Sequence, residues 1–367
     1  MRKLYFLGLA AGIRKVWHHV FASGTRQDVA ALEAELGRRY GGEAWAVKNG
    51  RSALALALKG YFSRGDKIIV NGFTCYAVVE AVKAAGCVPV YADIERGSLN
   101  FSTKTLGHLF DDGADDICGI IVQNTLGNPV DIEAIEKFAG KHGLIIVEDL
   151  AHSAGRHYAD GREVGTVGVA TALSFGKDKA IDTVSGGAVV FRYPCKNRIQ
   201  APSKIPQKSD RLRARFYPMW GLWCRKLTRI HLGGALMRCL VKIHFVERSA
   251  DNKLDLTRKI APFEAKLALE QVRELKDGVL REFCLVRDRS EVLAKLRAAG
   301  YYFDGFWYEK PVSPERYYAK VKFPEAECPV AVEVAKTIIN LPKYYPEREL
   351  KVAREIIKPY LIRSQDE

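Results

Sequence analysis

The chain has 367 residues, 48% hydrophobic and 27% charged, which is globular arithmetic with room for two or three domains. No apolar run is long enough to span a bilayer, and low-complexity tracts and internal repeats are absent, so a membrane-spanning helix, a solenoid and a largely disordered chain are excluded. The net charge of +14 is local: between Lys196 and Lys259, 16 Lys plus Arg stand against 4 Asp plus Glu, and the remaining residues carry only +2. Without any recognisable nucleic-acid-binding pattern, this basicity predicts no nucleic-acid partner.

The start of the chain, apolar from Tyr5 to Ile13, faintly resembles a signal peptide. The stretch is short, runs into Arg14 and Lys15 and lacks a small-residue cleavage site, so a cytoplasmic protein with an N-terminal arm over 1–24 is expected. The eight cysteines are scattered without a CxxC pair, which predicts mostly buried thiols in a reducing compartment, no disulfide framework and no metal site.

From 43 to 192, within a large domain expected over 25–195, short β-branched runs alternate with helical stretches. Strands are expected at Ala44–Val47, Lys67–Val70, Val88–Asp93, Ile117–Gln123, Leu144–Glu148, Ala170–Phe175 and Gly187–Phe191. Helices are expected at Ser52–Tyr61, Tyr76–Ala85, Thr103–Phe110 and Ile132–His142. Consecutive apolar residues, as in Leu144-Ile145-Ile146-Val147, mark strands buried on both faces, and the alternation implies βαβ units around a mostly parallel seven-stranded sheet sandwiched by helices. Segment 196–259 breaks the pattern as a basic, aromatic-rich insertion, loosely helical over Arg211–Val246. Region 260–367 reads as a long amphipathic helix, Ala261–Arg287, followed by a smaller C-terminal α/β domain with a last helix around Glu347–Pro359.

In parallel sheets ligands gather at the carboxyl ends of strands, so the polar residues there are the candidates. Asn49-Gly50-Arg51-Ser52 joins a strand to a helix and is either a phosphate cradle or a plain turn. Asp149 follows a buried strand, where it caps a turn or meets a cation such as a protonated pyridine nitrogen; His152 lies three residues on. Ser174-Phe175-Gly176-Lys177-Asp178-Lys179 closes the next apolar run with two lysines, one of which could form a Schiff base if its pKa is depressed. Gly186 and Gly187 open the strand after it.

In this order, with Gly65-Asp66-Lys67-Ile68-Ile69-Val70, Phe73-Thr74, Glu148-Asp149-Leu150-Ala151-His152 and Ile338-Ile339-Asn340-Leu341-Pro342, these pieces resemble the DegT/DnrJ-type nucleotide-sugar aminotransferases, pyridoxal-phosphate (PLP) enzymes of fold type I. The resemblance covers residues 22–192 well and 260–360 loosely. It implies that Lys179 holds the cofactor covalently and moves the proton, with Lys177 as the rival. Asp149 would pair with the ring nitrogen and His152 with the phenolic oxygen, while Gly50, Arg51, Ser52 and Ser174 would hold the phosphate. It further implies a glutamate-type amino donor, a nucleotide-linked keto-sugar acceptor and a homodimer serving polysaccharide or glycan precursor synthesis.

Several positions depart from the family pattern. Arg51 replaces a threonine, Cys75 stands where an aromatic residue stacks on the ring, and Ala180 replaces an asparagine. Thr257-Arg258-Lys259-Ile260 occupies the place of an "NxRM" segment that reaches the neighbouring subunit. These keep open the alternative of an inactive relative acting as a regulator or membrane-associated partner. For the insertion three readings stand: a solvated loop, a site for the substrate's diphosphate, or a peripheral contact with an anionic membrane through 211–246. In the last, Trp220, Trp223, Leu227 and Phe245 would insert while Arg225, Lys226, Arg229, Arg238 and Lys242 meet headgroups.

Overall fold

Side chains alternate between the faces of a strand, and here both faces are apolar. Strands β1 (Glu43–Val47), β2 (Lys67–Asn71), β3 (Val88–Ala92), β4 (Ile117–Gln123), β5 (Ile145–Asp149), β6 (Ala170–Ser174) and β7 (Gly187–Phe191) form one sheet in the order β1-β7-β6-β5-β4-β2-β3. Only β7 runs antiparallel to its neighbours. The structure, a computed structural model, describes residues 3–4, 13–111, 116–227, 232–246, 253–302, 307–342 and 347–362.

The period of two divides the core into two layers. Ile68, Val70, Val189 and Phe191 face one side and pack with Leu54 and Leu58 of α3 (Gly50–Tyr61), Val78 and Val82 of α4 (Tyr76–Ala84), and Val334. Ile69, Ala188 and Val190 face the other, against Leu32 and Leu36 of α2 (Arg26–Tyr40), Leu106 of α5 (Thr103–Asp111), Ile135 of α6 (Ile132–His142) and Val272. A seven-stranded sheet sandwiched by helices is thus what the apolar runs build.

The insertion is a pair of helices, α7 (Lys208–Leu227) and α8 (Gly233–Lys242). They pack on α1 (Ile13–Phe21) through Val16, Val20, Tyr217, Cys224 and Leu240. Polar ties hold this packing: His19 Nε2 meets the Ala214 carbonyl at 3.1 Å, and Arg215 donates to the carbonyls of Val20 and Ala22, both at 2.8 Å.

The expected long helix over Ala261–Arg287 is corrected. Helix α9 spans Pro262–Arg273, and Arg281–Leu285 is a strand, β8, antiparallel to β9 (Ile338–Pro342). Leu275 continues the helical apolar pattern but lies over Gly155, and the Leu280 N–H donates to the Leu126 carbonyl at 3.1 Å, so tertiary partners end the helix. Helices α10 (Arg289–Ala298) and α13 (Glu347–Ile357) cover this antiparallel pair through Val292, Leu296, Leu350 and Ile357. Between them in sequence lie α11 (Glu315–Val321) and α12 (Pro329–Thr337). All eight cysteines are free thiols. Residues 1–2 and 5–12 of the N-terminal arm and Arg229 lie outside the described residues.

Burial holds the His19 imidazole down to about 4. The unfolded chain takes up this proton near pH 6.5, the folded chain only near 4, so the fold loses stability from this ring as pH falls through that window. In urea unfolding between pH 8 and pH 5, His19→Gln should lose about 2 kcal/mol less than the parent. Equal losses in both proteins would contradict the buried, neutral ring.

Candidate active site

Strand register brings the candidate residues to one edge. Asp149 ends β5 and pairs with Gln123 at the end of β4; Ser174 ends β6 and pairs with Gly187, which also pairs with Val47 at the end of β1. Alternation separates the two neighbouring acids. Glu148 is fully buried on the other side, accepting the Tyr158 hydroxyl and the N–H groups of Gly165, Val167 and Gly168, each at 2.7 Å. Asp149 instead faces a cavity of about 560 Å³ also lined by Gly50, Arg51, Cys75, His152, Ser174, Lys177 and Lys179.

The electrostatics of the cavity are those of buried groups. Burial pushes the Asp149 carboxyl above its ordinary range, opposed by the Ala151 N–H it accepts at 2.9 Å and by the Lys179 charge. Burial likewise lowers the Lys179 ammonium, with Cys75 and Asp149 pulling it back up. His152 is pushed well below its usual value by burial and by the charges of Lys179 and Arg281, so the ring is neutral. Its Nδ1 accepts the Leu126 N–H at 3.1 Å, which leaves the proton on Nε2, 3.4 Å from the Tyr308 hydroxyl.

The two lysines have different surroundings. Lys179 Nζ stands 4.5 Å from the centre of the Trp307 ring, whereas Lys177 Nζ stands 3.7 Å from that of Tyr217 on α7. Trp307 stacks on His152 at 4.8 Å and carries the Arg281 guanidinium at 4.3 Å. Arg281 is buried, donating to Asn340 Oδ1 at 2.9 Å and lying 3.7 Å from Asp178. Trp307, Tyr308 and Arg281 were not singled out by the sequence; the aromatic cluster around Tyr301–Tyr308 was the only local signal. With Cys75 at the start of α4, where its Sγ accepts the Ala77 N–H at 3.5 Å, the ring beside Lys179 comes from Trp307 instead.

The predicted cradle is brought together in part. Helix α3 begins at the cavity wall, its positive dipole end at Gly50 and Arg51. A Cβ on Gly50 would fall 2.8 Å from Ser174 Oγ, and one on Gly187 2.7 Å from the Gly50 nitrogen, so glycine is required for these three segments to meet. Ser52 does not line the cavity. Its hydroxyl and N–H both donate to Asn49 Oδ1, at 2.8 and 2.9 Å, and its Oγ accepts the Asp255 N–H, because the Asn49 cap turns it inward. The Arg51 guanidinium pairs with Glu80.

The model of the DegT/DnrJ/EryC1/StrS aminotransferase family matches residues 13–206, more than half of the chain. A UDP-N-acetyl-3-dehydro-alpha-D-glucosamine 3-aminotransferase of Acidithiobacillus ferrooxidans is 27% identical over 88% of this chain and 85% of its own length. A GDP-perosamine synthase of Vibrio cholerae is 32% identical, over only 40% of this chain and 39% of its own length. Among solved structures, the aminotransferase from Psychrobacter cryohalolentis superposes with a TM-score of 0.66 at 18% identity, covering 97% of this chain and 98% of the other. A GDP-4-keto-6-deoxy-D-mannose-3-dehydratase of E. coli with bound hydrated PLP reaches 0.66 at 16% identity, covering 97% and 100%. These last two share the fold.

Gly50→Ala tests the close approach. The added methyl group should lower stability by about 1–3 kcal/mol in urea unfolding, and a variant as stable as the parent would contradict the contact with Ser174.

Proposed function

The chain belongs to the DegT/DnrJ/EryC1/StrS aminotransferase family, and on that premise we propose that it is a PLP-dependent aminotransferase acting on a nucleotide-linked keto-sugar. The amino donor is an amino acid, glutamate by the resemblance, and the product serves glycan precursor synthesis. The observation that carries this reading is the meeting of a depressed Lys179 amine, a buried Asp149 carboxyl and a neutral His152 in one cavity beside the start of α3.

These residues fit the cofactor. The aldehyde and the electron-withdrawing ring of PLP, when bound, let an amino acid lose its α proton. The chain's part is positional and protonic. Lys179 Nζ, uncharged more readily than an exposed lysine, is suited to attack a carbonyl and afterwards to take and return a proton. A carboxyl as confined as Asp149 ionises once a cation lies against it, which suits a protonated ring nitrogen. The proton on His152 Nε2 suits a phenolate oxygen, and the cradle of Gly50, the Arg51 backbone and Ser174 suits a phosphate; Ser52 supports it by fixing the Asn49 turn. The presence of Lys179 favours aminotransfer over dehydration on the same fold, and over a non-catalytic regulator.

Three placements belong to the same proposal: a homodimer, a cytoplasmic location and a peripheral contact with anionic membrane through 211–246. Trp223 and Phe245, 50% and 53% exposed, support the last, together with Lys226 beside Trp223. Trp220 instead packs edge-on against Phe245 at 6.2 Å, which narrows the surface. Among the described residues no helix is long and apolar enough to cross a membrane.

Titrating the purified protein with PLP should produce a visible absorbance band that glutamate removes. Lys179→Ala should lose the glutamate-sensitive band while Lys177→Ala keeps it. A band unchanged in Lys179→Ala would overturn the assignment.

A further inference from the structure

The basic insertion is part of the cavity wall. Asp210, Arg213 and Tyr217 of α7 and Met237, Arg238 and Val241 of α8 line the same cavity as Lys179 and Asp149. This placement is made within one chain. Tyr217 is buried beneath the Lys177 ammonium, and Lys48, beside the Asn49 turn, pairs with Asp210 at 3.0 Å. The insertion is therefore tied to both ends of the site and to α1 behind it.

The charge of the lining points to its use. Seven Lys and Arg side chains face four carboxylates there. Each carboxylate is engaged: Asp149 by the Ala151 N–H, Asp178 by Arg281, Asp210 by Lys48 and by Arg213 at 3.8 Å, and Glu309 by the Ser313 hydroxyl at 2.8 Å and the Glu315 N–H. The Gly50 end has its own cation in Arg51, and the lysines at 177 and 179 rest on aromatic rings. A second group of cations lines the cavity away from the Gly50 end: Arg213, which also lies against Asp210, and Arg238 from the insertion, and Arg316 from α11. Arg238 is exposed and forms no ion pair among the described residues. Beside it Met237, Val241 and Val246 give the wall an apolar strip. Guanidinium groups match phosphate oxygens, and a cleft with one excess sign concentrates ligands of the other.

We propose that α7 and α8 are the chain's own cover for its active site and that Arg213 and Arg238, with Arg316, bind the diphosphate of a nucleoside-diphosphate-linked substrate, the apolar strip meeting its rings. This rests on the aminotransferase reading and adds to it that the anion subsite is built by the chain's own insertion. Two cations of the basic segment 196–259, Arg213 and Arg238, thereby acquire a ligand inside the cavity.

Calorimetric titration of the PLP-loaded full chain with UDP and with GDP tests this. At least one diphosphate should bind, with its nucleoside alone at least tenfold weaker. Arg238→Ala should weaken binding fivefold or more, Arg238→Lys should recover part of it, and Arg213→Ala should weaken it similarly. Arg238 is exposed, so its variants report binding even where Arg213→Ala perturbs the packing around Asp210; the bound cofactor's absorbance confirms folding in each sample. Unchanged diphosphate affinity in Arg238→Ala, or a loaded parent that binds neither UDP nor GDP, overturns the subsite. Failure of the parent to take up PLP overturns the aminotransferase reading instead.

Discussion

An amine and a carboxyl shut into one cavity, each far from the water that would stabilise its charge, set the terms for the rest of the molecule. Burial drives Lys179 and Asp149 toward their neutral forms, and each partly restores the charge of the other. Such a pair is costly to enclose unless a ligand later supplies or absorbs charge. The neighbouring groups share this character: His152 is held neutral by burial and by two cations, and Tyr308 is pushed far above its ordinary range. Groups displaced in this way by burial beside charged partners mark a candidate site for proton transfer.

The sheet makes the enclosure possible through register. Since β7 is antiparallel between β1 and β6, its first residue meets the last residues of both, and Gly187 without a side chain lets β1, β6 and the start of α3 converge. Alternation along β5 sends Glu148 to a structural network and Asp149 to the cavity. The two acids adjacent in sequence thus part, one into a buried hydrogen-bond network and the other to the cavity wall. The C-terminal part of the chain closes the cavity with Trp307, and helices α7 and α8 close another wall with Arg213, Tyr217 and Arg238.

What could be read from the chain beforehand follows the range of the interactions. The seven strands were legible because burial on both faces writes continuous apolar runs, and the places of Asp149 and Ser174 on the cavity wall were legible because they end such runs, with Lys179 five residues beyond Ser174. Ser52 was placed in the cradle by its position after Gly50; the Asn49 side chain, which claims both its donors, could not be anticipated from spacing. Trp307 reaches the cavity from a segment remote in sequence, and Arg281 of β8 lies against its ring, contacts between distant segments that leave no periodic trace. The same holds for the end of α9, where the apolar pattern runs on through Leu275 but Gly155 and the Leu126 carbonyl take the chain away. The insertion was legible as basic and helical, while its position over the active site depends on its docking to α1.

The most direct measurement is borohydride reduction of the PLP-treated protein followed by peptide mass spectrometry. The account requires the added pyridoxyl mass on Lys179. Its appearance on Lys177, or spread over surface lysines with Lys179 unmodified, would contradict it.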